Sequence, residues 1–286
     1  MEAGGLSRPG GAGSVVDAAG GGLDAPWFEP LRPWASRSDP RPAGRIDLAL
    51  LNRFAGERGL RTEDGLPVRF VDAAAAPPGA YERVIRDRGE VPTRVAGAGM
   101  LHDWFNALAW LAFPRTKARL NRLHCDALAQ SAQRQACRGA LRDAATLLDE
   151  NGALFACRDP SLAASLRDRD WRALFVDGRE RFARHATVRV LGHGLSEKLL
   201  APYKAVCAHA WIVELPPHAC AGPDGDDALD ATLAQGLRSD ALRAANLCPL
   251  PLLGVPGWWP ANADPAFYDD TAVFRAGRGS RRKGSR

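Results

Sequence analysis

The stretch Leu101–His124, LHDWFNALAWLAFPRTKARLNRLH, limits what this chain can fold into more than any other segment. Leu101, Trp104, Phe105, Leu108, Leu111 and Ala112 recur at the i, i+3, i+4, i+7 spacing of one helical face, which predicts a helix over 99–113 with that face in a core. Pro114 cannot continue this helix, because it lacks an N–H and its ring clashes with the preceding turn. It does fit the first turn of a second helix, expected to run to 136. Rotated at 100° per residue, Lys117, Asn121 and His124 of that second helix fall within about 60° of one another. Leu120, Leu123 and Ala127 form the core face beside them, and Arg119, Arg122 and Asp126 the solvent face. On the first helix His102 and Asn106 stand one turn apart, next to Trp110. Two polar stripes bordering apolar faces are therefore expected to share a cleft if the helices pack across Pro114.

The remaining pattern alternates short helices and short strands. Residues 46–57 carry Leu50, Leu51 and Phe54 at helical spacing and stop at Gly59, while 65–71 alternates and holds Pro67, which points to an edge strand. Ala145 to Ala156 holds two apolar runs around Asn151-Gly152, read as a hairpin. Asp159-Pro160-Ser161 opens a further helix, 187–191 and 205–215 read as strands with a helix over 194–200 between them, and 227–246 reads as helix. The segment after Cys248 is too rich in Pro and aromatics for regular structure and is expected to pack as a strap anchored by Trp258 and Trp259. The expectation is an α+β fold, a helix-rich single domain over 26–274 with short strands and one hairpin near Asn151-Gly152. Residues 1–25, rich in Gly and Ala, are expected to be disordered, as is the basic tail 275–286.

Composition narrows the function classes. No run of 18 apolar residues exists, which excludes a membrane-spanning helix, and the N-terminus has neither the basic start nor the apolar centre of a secretory signal. The six cysteines form no CxxC pair and none has a histidine at finger-like spacing, so reduced thiols and a cytoplasmic setting are expected and structural zinc is not. The net charge is +5, but the last twelve residues hold six basic residues and no acid, which leaves the rest near −1. Such a tail attracts polyanions without reading sequence, so weak nonspecific nucleic-acid contact is its one expected partner role, with a merely solubilising end as the alternative. Of the 38 basic residues only Lys117, Lys198, Lys204 and Lys283 are lysines. Lys is a compact charge that Arg cannot imitate, which draws attention to Lys117.

The blocks HDWFNALAWLAFPRTKARLN (102–121), LLDENGA (147–153), GHGLSEKLLAPYK (192–204) and LPLLGVPGWWPANADPAFYDDTAVFR (250–275) resemble a proteobacterial family, an uncharacterised domain of unknown function. The resemblance spans about 26–275 and implies a bacterial, cytoplasmic, single-domain protein. It brings no catalytic residue, cofactor or partner.

The chemistry therefore rests on the residues. His102, flanked by Asp103, has the titration range of a general acid or base. Lys117, Asn121 and His124, with Asn106, offer the positive charge and donors that an anionic oxygen needs. In GHGLSEK, His193 and Glu197 lie four apart on one helical face, suited to a metal or an acid–base pair, although no metal is assigned and the cofactor is unknown. Two glycines fall far short of a phosphate loop, and GLSEK is not a nucleophile elbow. His102-Asp103 lacks the upstream histidine of the metal phosphohydrolases, and Cys125 diverges by 100° from His124 on a helix. No spacing matches a nuclease, kinase, protease or dinucleotide fingerprint. Two readings stand. The first is an enzyme for a phosphorylated or otherwise anionic small molecule, with His102, Asp103, His193 and Glu197 as catalytic groups. The second is a non-catalytic binding or scaffold protein aided by its basic tail. The first requires His102, Lys117, His124 and His193 to meet around one hollow, within roughly 10 Å.

Overall fold

The computed structural model of the chain describes residues 22–134, 139–216 and 223–277. A 3₁₀ turn over Pro26–Phe28 seats Trp27 and Phe28 in the core, and helices α1 (Arg32–Ser38) and α2 (Leu48–Arg58) follow. The Asp47 side chain caps α2 by accepting from Leu50 N, and Gly59 ends it in the left-handed conformation at φ 64°. Strand β1 (Arg69–Asp72), helix α3 (Tyr81–Arg88) and strand β2 (Glu90–Thr93) form a small parallel pair with its crossover helix. Pro67 stays outside that ladder and bridges only to Arg61, because it has no N–H to contribute. The strand expected over 65–71 therefore starts later, and β2, with Pro92 inside it, has too little alternation to be read from sequence.

Helices α4 (Met100–Ala112) and α5 (Pro114–Arg134) divide at Phe113, as the proline requires. Every residue of α4 from Trp104 to Ala112 is buried, so this helix is covered on all sides rather than on one face. Neighbours α1, α2, α5, β2 and the later helix α10 (His193–Lys198) surround it. Trp104, Phe105, Leu108 and Leu111 are fully enclosed, each worth about 1.5–3 kcal/mol relative to exposure.

Helix α6 (Ala140–Asn151) runs directly into strand β3 (Gly152–Cys157), which corrects the hairpin expected at Asn151-Gly152. A type I′ turn needs positive φ at both central residues, whereas Asn151 is the last helical residue and Gly152 is extended at φ −82°, ψ 152°. The glycine serves close packing instead, since a Cβ there would lie 2.1 Å from Leu148 O. Helices α7 (Pro160–Asp168), α8 (Trp171–Phe175) and α9 (Arg179–His185) lead to strand β4 (Ala186–Val190). Then come helix α10 (His193–Lys198), strand β5 (Cys207–Glu214), helix α11 (Pro223–Gly236) and strand β6 (Cys248–Pro251). The larger sheet has the order β4-β3-β5-β6, with β3 antiparallel to β4 and parallel to β5, and β6 antiparallel to β5. Central β3, GALFAC, is buried at every position and so reads as one apolar run, not an alternation. Helix α11 ends earlier than expected, and β6 carries two prolines that its edge position tolerates.

Fully buried Asp230 of α11 accepts from Arg115 N and Thr116 N, both at 2.9 Å, so the free amides that open α5 are capped from a distant element. The C-terminal strap folds into 3₁₀ turns pinned by buried Asn262, which donates to Leu253 O and Val255 O, and by Tyr268, whose hydroxyl donates to Gly254 O. Trp258 and Trp259 are only half-buried, and Tyr268 and Phe274 anchor the strap in their place. One contiguous core joins these elements into a helix-rich α+β domain. Leu23 packs against this core, and Gly277 is buried. Residues 1–21 and most of the basic tail, 278–286, lie outside the described residues. Among the described residues no helix is long and apolar enough to cross a membrane.

Candidate functional site

Five helices line one cavity of about 410 Å³. Helix α4 contributes His102 and Asn106, α5 contributes Lys117, Asn121 and His124, α6 contributes Asp149 and Glu150, and α10 contributes His193. Tyr81 and Glu82 of α3 and Arg94 after β2 complete the wall. His102, Lys117, His124 and His193, separated by up to 91 positions in sequence, thus line the same hollow.

Local packing explains how the parts meet. The glycines of GHG let the start of α10 press against the end of α6. A Cβ on Gly192 would lie 2.6 Å from Glu150 O and from Gly152 N, and one on Gly194 would lie 2.6 Å from Glu150 Oε2 and 3.5 Å from His102 Cε1. Only glycine admits this approach, and it brings the His193 ring against both Glu150 and His102. The His102 and His193 rings meet edge to face with centroids 4.6 Å apart. Glu197, one turn further along α10, reaches His102 and not His193, with Oε2 at 3.1 Å from His102 Nδ1. An acceptor on that side places the imidazole proton on Nδ1 and leaves the Nε2 lone pair facing inward. His102 Nε2 lies 3.8 Å from Glu150 Oε1, and His193 Nε2 lies 3.4 Å from the same oxygen. His193 is buried, and its Nδ1 makes no hydrogen bond; Asp149 Oδ2 lies 3.9 Å from it.

A second layer holds the floor. Buried Lys117 donates to Asn106 Oδ1 at 2.8 Å and to Asp149 Oδ1 at 2.5 Å, so the stripes of α4 and α5 meet. Burial opposes the charge on Asp149, but Lys117, His193 and His124 outweigh it and hold the carboxyl down at about 2. Burial likewise opposes the charge on Glu150, and His193 and His102 keep its carboxyl below the ordinary value. Burial pushes His124 below its ordinary 6.5, and its Nδ1 has no hydrogen-bond partner. Burial also raises the Tyr81 phenol, whose oxygen accepts from Asn106 Nδ2 at 2.7 Å.

Several candidates read from sequence are engaged structurally. Asp103 accepts from Arg94 through its backbone N and both Nε and Nη2, at 2.6, 2.9 and 2.6 Å, so its carboxylate ties the loop after β2 to the first turn of α4. Asn121 Nδ2 donates to Glu82 O and pins α3 to α5. Lys117 is committed to Asp149 and Asn106, which neutralises it as an anion anchor. His193 and Glu197 do not pair with each other. Asp270 of the C-terminal strap bonds Lys204 Nζ at 2.9 Å.

Sequence reasoning missed Asp149 and Glu150. The signal is present in LLDEN, where a helix end brings two adjacent acids, but the Asn-Gly that follows has the pattern of a turn. A family model described as "Protein of unknown function (DUF3025)" matches residues 68–278. The chain belongs to the DUF3025 family. No curated protein and no solved structure matches the chain. Every residue lining the cavity, from Ala73 to His193, and Glu197 beside it fall inside the DUF3025 segment, whereas α1 and α2 lie before it.

Proposed function

We propose that this protein is an enzyme, and that the cavity between α3, α4, α5, α6 and α10 is its active site for a small polar substrate. The observation that carries the reading is the meeting of His102, Glu150 and His193 at one wall of the cavity, with Glu197 behind His102, although they come from three helices far apart in sequence. His102 is the acid–base group. It is the more exposed of the two histidines, its tautomer is set by Glu197, and its Nε2 faces the hollow, as proton transfer requires. Glu197 is a positioning residue, as are Lys117 and Asn106, which fix Asp149 beneath His193. Four described cysteines are unpaired, which supports a reducing, cytoplasmic setting. The walls carry Glu82, Asp103, Asp149 and Glu150 against Arg94 and Lys117. An anionic substrate therefore needs more positive charge than the side chains supply.

A thermal-shift screen of small metabolites, run on the wild-type chain and on His102→Ala, tests the reading. Ligands that raise the midpoint of the wild type should lose that effect in the variant, because stabilisation follows occupancy. A shift that persists unchanged in His102→Ala would move the binding site elsewhere and remove the support for this active site.

A further inference from the structure

Three electron-pair donors face one another at one wall of the cavity. The inner distances, 3.4 Å from His193 Nε2 and 3.8 Å from His102 Nε2 to Glu150 Oε1, exceed the roughly 2.7–3.2 Å of a good hydrogen bond. Atoms that each sit about 2.0–2.2 Å from a common ion at tetrahedral angles stand roughly 3.3–3.6 Å apart, which is close to what is found. One ligand atom from each of the three residues falls within 4.8 Å of the other two.

We propose that His102 Nε2, His193 Nε2 and a Glu150 carboxylate oxygen bind one divalent transition-metal ion. Two features beyond the donor set support this. The first is the outer contact on His102: Glu197 accepts from Nδ1 at 3.1 Å, the carboxylate–histidine arrangement that orients an imidazole ligand and makes its other nitrogen a better donor. The second is His193, a buried imidazole whose Nδ1 makes no hydrogen bond. An ion on Nε2 puts the ring proton on Nδ1, the side on which Asp149 Oδ2 stands at 3.9 Å, so a second carboxylate lies where a ligating histidine needs its acceptor. The excess of carboxylates on the walls favours a cationic occupant. Two imidazoles with one carboxylate suit zinc or iron(II) and not magnesium or calcium, which prefer oxygen. Three protein ligands leave positions for water and for a substrate oxygen. With an ion on His102 Nε2 that lone pair is closed to a proton, so the acid–base role of His102 belongs to the metal-free site and passes to water on the ion once the ion is bound. The inference rests on the active-site reading only for the use made of the ion, not for its binding.

Stripping the full-length protein with a chelator and dialysing it against zinc tests the proposal without any substrate. One ion per chain should bind, and cobalt(II) should give d–d absorption with no thiolate charge-transfer band. His102→Ala and Glu150→Gln, checked for folding by circular dichroism, should each lose at least about tenfold in affinity, and Glu197→Gln roughly 10–100-fold as a residue behind a ligand. The proposal is overturned by an absence of stoichiometric uptake, by uptake that neither ligand variant weakens, or by a charge-transfer band that puts the ion on cysteine. Uptake with the expected losses, but with no ligand found in the thermal screen, upholds the metal and removes the enzyme reading. Ligand shifts sensitive to His102→Ala in a chain that takes up no metal do the reverse.

Discussion

At the scale of single residues, the floor of the cavity is a balance of buried charge. Lys117 is enclosed, and in a chain that otherwise uses arginine it supplies a compact ammonium that fits between Asn106 and Asp149. Removing either partner would strand the other, which is why such pairs tolerate substitution poorly. His124 sits beside this pair with its titration depressed by burial. The unfolded chain takes up its proton near pH 6.5, and the folded chain does so only at lower pH. Stability conferred by this group is therefore whole above 6.5 and is lost as pH falls from there to the folded value. Urea titrations of metal-free protein should show stability declining below pH 6.5 with a slope of up to about 1.4 kcal/mol per pH unit from this one site. His124→Gln should flatten that step. An identical slope in the variant would show that His124 is not the group responsible.

At the scale of elements, the site depends on how closely the start of α10 approaches the end of α6, and the two glycines of GHG have different tasks. A Cβ at Gly192 meets only backbone, at Glu150 O, Gly152 N and Asn151 N, which cannot move cheaply. At Gly194 the nearest atom is the tip of the Glu150 carboxylate. Gly192→Ala is expected to cost about 1–3 kcal/mol in urea unfolding, as overpacking does. Gly194→Ala should keep most of the stability but swing Glu150 away and weaken zinc uptake at least about tenfold. Equal effects of the two substitutions on both measurements would refute this division. The same elements show where sequence periodicity succeeds and where it stops. The stripes His102/Asn106 and Lys117/Asn121/His124 were legible, because two consecutive helices separated by Pro114 leave little freedom in phase. Asp149 and Glu150 were not, because the apolar runs on either side of Asn151-Gly152 mimic a hairpin when a helix feeds straight into a buried central strand. Likewise β2 and β6 are short and contain proline, so local pattern carries little and pairing with β1 and β5 decides them.

At the scale of the molecule, a helix-rich α+β body was legible from the spacing of apolar residues. The joining of the two polar blocks into one site was not. His102 and Glu197 are 95 positions apart, and no local rule specifies that α10 packs beside α4 and α6. That packing follows from the sheet: β3 and β4 are paired so that Gly192 N, at the entry to α10, donates to Gly152 O, at the exit from α6. The larger sheet acts as the platform that sets the register of the two histidines and the glutamate, and the DUF3025 segment includes all of it. Diffraction data from zinc-soaked crystals of the full chain, collected on both sides of the zinc absorption edge, examine this account most directly. It predicts one dominant anomalous peak, about 2.0–2.2 Å from His102 Nε2, His193 Nε2 and a Glu150 oxygen. A cavity without that peak, or zinc found only on cysteines or at the surface, would contradict it.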